Sequence, residues 1–256
     1  MKTHVFVVAV TGIAAGSVAA SLFSSSEAQA PWNWPEKAKN LKVFPKDTDA
    51  QRLRGAMVGF TRALGVRCSY CHEGKEGEPL GTYDFASDKN PKKDIARGMM
   101  KLVEKVNHEI GEVVPASTPN RVTVGCVTCH HGVARPRSLA DELALTYDAS
   151  GADSTLARYR MLRTRYYGSA AYDFGEGSLG ELARRAMEKK DAKGAVALAK
   201  LNVEHYPESG SAHAGLADVY LAAGDTTSAV AELERAVKLD PHNERAAKTL
   251  ETLKKR

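Results

Sequence analysis

The chain has 256 residues, 43% of them hydrophobic, and a formal net charge of +5. The length allows one to three small domains, and the apolar fraction is that of an ordinary soluble protein. The mild charge suits an acidic partner, an anionic membrane surface or simply a solvated exterior; with no base-stacking or glycine-rich phosphate motif, nucleic acid and nucleotide ligands are excluded.

Lys2 and His4 precede an apolar run from Val5 to Phe23, and Ala28-Gln29-Ala30 offers small residues for cleavage. Residues 1–30 are therefore expected to be a cleaved signal peptide. An uncleaved N-terminal anchor is the alternative, because the run just reaches bilayer length and Pro31 would hinder a signal peptidase. No cysteine lies in this segment, which excludes a lipoprotein anchor. Either way the body is expected to be exported, to the periplasm or the outer face of the cytoplasmic membrane. In the anchor alternative the chain associates with the membrane through its N-terminus.

Residues 31–46 are rich in Pro and Trp, show no helical period and read as an extended lead-in. Trp32 and Trp34 read as packing residues, with cover for a cofactor edge as the alternative. A helix is expected from about Asp47 to Leu64, capped by Asp47 or Thr48 and ended by Gly65. Its apolar stripe is Ala50, Leu53, Met57, Phe60 and Leu64.

Next comes Cys68-Ser69-Tyr70-Cys71-His72, which recurs as Cys126-Val127-Thr128-Cys129-His130. C-x-x-C-H is the attachment signature of c-type haem. Two thiols add across the porphyrin vinyl groups as thioethers, and the adjacent His is thereby held under the ring to bind the iron. Positions i, i+3 and i+4 share one helical face, so all three groups can point at one macrocycle. All four cysteines fall in these two pairs, and both pairs are followed by His. A zinc site is the first alternative. It does not require a His after each pair, and the pairs stand too far apart for a compact ribbon. Disulfides or a redox C-x-x-C are the second. The expectation is two covalent haem c groups, attached at Cys68, Cys71, Cys126 and Cys129, with His72 and His130 as proximal ligands. Their attachment outside the cytoplasm agrees with export.

Met57 is the only Met or His between the N-terminal segment and the first motif. A thioether is a soft ligand for haem iron, so Met57 is read as the distal ligand of the first haem, with plain core packing as the alternative. Residues 73–90 read as a loop wrapped around that haem. A second helix is expected from an Asn90 cap, with Pro91 in its first turn, to about Ile110, stopping at Gly111. Its stripe is Ile95, Met99, Leu102, Val103, Val106 and Ile110. Helical phase centres Met99, puts Met100 about a quarter turn away and sends His108 to the opposite face. Met99 is the preferred distal ligand of the second haem; Met100, His108, an outside residue or an open position are the alternatives. Arg121, in the loop that follows, is either a propionate partner or a solvated Arg. His131 reads as a surface or propionate contact.

Residues 138–167 read as two helical stretches around Ala149-Ser150-Gly151, and 167–177 as a turn-rich link. From about Glu176 the chain repeats with a period of 34: Pro207 and Pro241 are 34 apart. Leu182, Ala183, Ala186, Ala195 and Ala199 are matched by Leu216, Ala217, Tyr220, Ala229 and Leu233. This resembles the tetratricopeptide helix–turn–helix repeat. Residues 242–256 read as its polar capping helix. Such a stack usually holds a protein partner, with a spacer or a cover for the haem domain as the alternative.

Three stretches together resemble the cytochrome c subunit of photosynthetic reaction centres. They are Leu64-Gly65-Val66-Arg67 with the first motif, Ala96-Arg97-Gly98-Met99-Met100 with Val106-Asn107, and Val124-Gly125 with the second motif and Gly132. The resemblance spans roughly residues 38–137 and implies a haem wire whose distal ligands are mostly Met from the upstream helix, the position of Met57. That family carries four haems in two halves; this chain carries two motifs and looks like one half, fused to foreign repeats, as in non-photosynthetic relatives. The family's last haem takes a distal His from the half that is absent here. The fold class expected is all-α: a dihaem domain at 31–137, a helical connector at 138–175 and repeats at 176–256. The function expected is single-electron transfer between redox partner proteins, without catalysis. A dihaem peroxidase-like enzyme and a partner-binding scaffold with structural haems are the alternatives.

Overall fold

A computed structural model of the chain describes residues 32–255. The segment read as a signal or anchor lies outside them. The fold is all-α, as the sequence indicates: among the described residues every named element is helical, and the one β-type pairing is an isolated bridge between Glu73 and Asp84. No helix among the described residues is long and apolar enough to cross a membrane.

Three helices and two single 3₁₀ turns make up the N-terminal half. Helix α1 is Ala50–Leu64. Its cap is Asp49, not Asp47 or Thr48: the Asp49 carboxylate accepts from the Arg52 N–H at 2.8 Å. Thr48 is instead buried and donates its hydroxyl to the Pro45 carbonyl. Gly65 ends α1 in the left-handed region at φ 63°, which glycine adopts without a Cβ penalty. Helix α2 is Lys92–Val113 and runs through the expected stop at Gly111. A single glycine costs a helix only about 1 kcal/mol. The helix stops where Val114, ahead of Pro115, is pushed into the extended region. Helix α3, Cys126–His130, is the second motif itself.

The C-terminal half begins with α4, Leu139–Tyr166. The two stretches expected here join end to end across one non-helical residue, Gly151 at φ 74°. Thr155, fully buried, donates its hydroxyl to the Gly151 carbonyl and closes the break. Then come the antiparallel pairs α5 (Gly177–Glu188) with α6 (Ala192–His205), α7 (Gly210–Ala222) with α8 (Thr226–Leu239), and the last helix α9 (Glu244–Lys254). Asp191, Ser209, Asp225 and Asn243 each cap the helix that follows through their side chains.

The main buried core joins α4 to the first helix pair. It contains Leu143, Tyr159, Leu162, Leu179, Leu198 and Leu216. A second cluster, around Ala217, Leu233 and Ala246, joins α7, α8 and α9. The link at 167–177 is not simply a turn: Phe174 is buried in the main core, edge-on to Tyr159. Helix α4 is clamped to the first pair by polar groups as well. Asp191 caps α6 with one oxygen and accepts the Tyr147 hydroxyl, at 2.9 Å, with the other. The Tyr147 pKa is pushed up to about 12 by burial and by that carboxylate. Asp148 receives Arg185 and Lys189, both at 2.6 Å.

Asp191 makes a cap and a tertiary bond, whereas Asp225 makes a cap alone. Asp191→Ala is expected to cost about 2 kcal/mol and Asp225→Ala about 1 kcal/mol, compared as melting temperatures of the two variants. Arg185 and Lys189 hold the Asp148 carboxyl at about 2, below its ordinary 3.8. A depressed carboxyl contributes stability above its unfolded pKa and loses it as pH falls through the folded one. Acid titration of the melting temperature should therefore show a loss between about pH 4 and pH 2 that Asp148→Asn diminishes.

Candidate functional site

At the first motif the chain makes a 3₁₀ turn over Cys68–Tyr70, and the His72 N–H bonds back to the Cys68 carbonyl at 3.0 Å. That bond closes one α-type turn, the geometry that puts both thiols and the imidazole on one side. Cys68, Cys71 and His72 are half-buried. The His72 ring meets Phe85 edge-on at 5.0 Å, Phe85 meets Trp32 at 5.0 Å, and Trp32 meets Trp34 at 4.7 Å. The lead-in tryptophans thus belong to the aromatic wall behind the first motif. Burial holds His72 below its usual pKa, Lys93 and Arg97 add to this, and the Phe85 carbonyl opposes it. Burial raises the Cys71 thiol, and Lys92 partly offsets it.

The second motif is regular helix. The Thr128 hydroxyl accepts from the Gly125 N–H at 3.0 Å and fixes its entry. His131 and Gly132, at φ 48° and 87°, turn the chain out. His130 Nδ1 lies 2.9 Å from the Val133 carbonyl. A carbonyl only accepts, so Nδ1 carries the proton and the lone pair is on Nε2. Next to this motif is a cleft of about 320 Å³ lined by Cys129, His130, Val133, Arg137 and Ala171. Ala171 brings the buried link of the C-terminal half up to the second motif.

Both long helices touch both motifs. The C-terminus of α1 leads into the first, and its Ala63 carbonyl accepts the Gly132 N–H, just past the second, at 2.9 Å. The approach is close enough that a Cβ on Gly65 would lie 2.0 Å from the Gly132 carbonyl oxygen. Helix α2 is tied to the first motif by Asn90, whose amide donates to the Tyr70 carbonyl at 3.1 Å. Lys92 lies 3.8 Å over the Tyr70 ring. Further along α2, Asn107 exchanges two bonds, each 2.8 Å, with the backbone of Val124.

Behind His72 stands a polar cluster for which the sequence carried no signal. Lys93 is 8% exposed, and its ammonium donates to the carbonyls of Phe85 at 3.2 Å and Ser87 at 2.6 Å and pairs with Asp88 at 3.1 Å. Asp88 also takes Arg97 at 2.8 Å and Lys42 at 2.5 Å. Arg97, foremost, and Lys42 hold its carboxyl well below the usual carboxylate range. A lysine in the first turn of a helix normally reads as solvated. Only the loop that folds over it makes it a buried cation.

Helix α2 packs closely against none of the other helices. Half of its predicted stripe is uncovered, with Ile95 65% exposed, Met99 39% and Leu102 50%, while Val103, Val106 and Ile110 are half-buried. Within 32–137 the buried residues are few: Thr48, Leu53, Ala63, Lys93 and Val133. An apolar helix face without a protein neighbour needs another apolar partner. A haem held at the two motifs fits this, as do the bonded Nδ1 of His130 and the buried, unpartnered Nδ1 of His72. A zinc site fits less well, because no group of three or more His, Cys, Asp or Glu converges among the described residues. Met57 is half-buried on α1; Met100 is more covered than Met99; His108 and His131 are exposed. Arg121 lies against Gly111 of α2.

Part of the chain is similar to cytochromes c. It is 42% identical over 92 residues to cytochrome c-554 of Chloroflexus aurantiacus, covering 36% of this chain and 20% of that protein. It is 27% identical over 95 residues to the photosynthetic reaction center cytochrome c subunit of Rubrivivax gelatinosus, covering 34% and 24%. The match thus spans a quarter or less of the length of either relative. Residues 186–253 match the Tetratricopeptide repeat family model. A solved structure, the first TPR of Spaghetti (RPAP3) bound to HSP90 peptide SRMEEVD, overlays with a TM-score of 0.33. It is 16% identical and covers 46% of this chain and 88% of that one.

The contact of Gly65 with Gly132 predicts a sign difference between two glycines of one helix. Gly65→Ala meets both the left-handed penalty of about 1–2 kcal/mol and the Gly132 carbonyl, and should lower the melting temperature. Gly55→Ala, in open helix interior, should raise stability by about 1 kcal/mol. Thermal melts of both variants check this.

Proposed function

We propose that the chain is an exported dihaem c-type cytochrome that passes single electrons between redox partner proteins. The observation that carries this reading is the pairing of two C-x-x-C-H turns with an α2 apolar face that leaves Ile95, Met99 and Leu102 exposed. Covalently held haem supplies one-electron Fe(III)/Fe(II) chemistry when bound. Cys68 and Cys71 hold the first group, and Cys126 and Cys129 the second. His72 and His130 would present imidazole to the iron; the Val133 carbonyl fixes the His130 tautomer. Met57 from α1 and Met99 from α2 are the distal ligands in this reading. Trp32, Trp34 and Phe85 exclude water behind the first site.

The domain plan follows the same reading: residues 31–137 hold the haems, 138–175 connect, and 176–256 form the repeats with their cap. The helix-pair array suits a protein partner on its surface, which the Tetratricopeptide repeat match supports. Residues 1–30 direct the chain to the periplasm or tether it to the outer face of the membrane. The partial resemblance to a reaction-centre subunit supports the electron-carrier reading and leaves photosynthesis aside. The seven described residues most directly tied to the cofactor, besides Met99, are the four cysteines, the two proximal histidines and Met57.

Ferric and ferrous spectra of the protein matured with haem-attachment machinery test the reading. Two low-spin haems are expected, at least one with a Met–iron charge-transfer band, and Met57→Ala should abolish the band of the first haem. A band that survives Met57→Ala removes that ligand assignment. A high-spin second haem that binds cyanide readily would move the reading to a peroxidase-like enzyme.

A further inference from the structure

The two proximal histidines are supported differently. The His130 Nδ1–H has an acceptor to itself, the Val133 carbonyl at 2.9 Å. Val133 itself is 7% exposed. The corresponding Nδ1 of His72 is buried and has no partner. The backbone carbonyl nearest in position to serve it, that of Phe85, already accepts from the Lys93 ammonium at 3.2 Å.

A hydrogen bond from Nδ1–H to a free carbonyl makes an imidazole a stronger donor to its metal, which favours the ferric state. His130 has this support. At His72 the available carbonyl is polarised by a cation and gives less of it. The same cation adds a direct field. The cluster behind His72 contains Lys42, Lys93 and Arg97 against the carboxylates Asp88 and Asp94, a surplus of positive charge. Little water screens them: the Lys93 side chain is 9% exposed and that of Arg97 15%. A positive charge near the iron favours its ferrous state.

We propose that Lys93 is a positioning residue whose buried ammonium, seated between the Phe85 carbonyl and Asp88, holds the first haem at a higher potential than the second. The proposal rests on the dihaem reading. It adds a direction: with both groups bound, the difference would favour an electron at the first site, which borders the aromatic lead-in, over the second, which borders the link to the repeats.

The test is spectroelectrochemical titration of the matured full-length protein, with the two haems assigned by the single-site variants Cys68→Ala/Cys71→Ala and Cys126→Ala/Cys129→Ala. Those variants also separate the two claims, since a chain that attaches no haem fails the dihaem reading before any potential is read. The first haem is expected to be the higher of the two. Lys93→Met should lower its midpoint, Asp88→Asn should raise it, and the second haem should stay in place in both. Loosening of the loop would admit water and shift both variants the same way, so opposite signs separate charge from structure. If Lys93→Met fails to load haem, Arg97→Gln removes a neighbouring cation and should lower the first midpoint in its place. The proposal is overturned if the second haem is the higher, if Lys93→Met and Asp88→Asn move the first haem in the same direction, or if Arg97→Gln leaves it unmoved.

Discussion

Little of the apolar surface of residues 32–137 is buried by protein. Both apolar clusters found among the described residues lie in the C-terminal half, while α2 leaves Ile95, Met99 and Leu102 exposed. The N-terminal half is framed instead by backbone and polar bonds. The Gly132 N–H on the Ala63 carbonyl ties α1 to the second motif, and Asn90 and Asn107 tie α2 to the first motif and to the approach to the second. A frame of this kind fixes positions without filling space. In the proposed reading two covalently attached haems would fill it, because a macrocycle supplies apolar area on both faces and would be anchored where the frame already converges.

The C-terminal half is built on the opposite plan. Helix pairs bury continuous Leu and Ala faces, each pair capped by a side chain at its turn, and the connector α4 joins the stack through Tyr147, Asp148 and the buried link. The connector therefore belongs physically with the repeats. Its link residue Ala171 also lines the cleft at His130. A partner held on the repeats would sit on an element that reaches the second motif and not the first.

Much of this was legible in the sequence, and the parts that were not have a common cause. The Gly65 stop, the stripe of α2, the break near Gly151 and the pairing of the last helices all follow from local rules: left-handed glycine, a 3.6-residue period and a 34-residue repeat. The misses are tertiary. Asp49 caps α1 because Thr48 is drawn back to Pro45. Helix α2 passes Gly111 because Pro115 sets its end. Phe174 is buried because α4 doubles back over it. Lys93 reads as a surface lysine until the loop at 85–88 closes over its ammonium. Of the site, the thiols and histidines were explicit in two pentapeptides. Their unequal surroundings arise from residues distant in sequence.

The account depends most on both pentapeptides carrying haem. Peptide mapping by mass spectrometry of the protein recovered from a host with haem-attachment machinery reads this directly. The account predicts one haem on the peptide bearing Cys68 and Cys71 and one on the peptide bearing Cys126 and Cys129. Unmodified thiols in either peptide of the mature protein would contradict it.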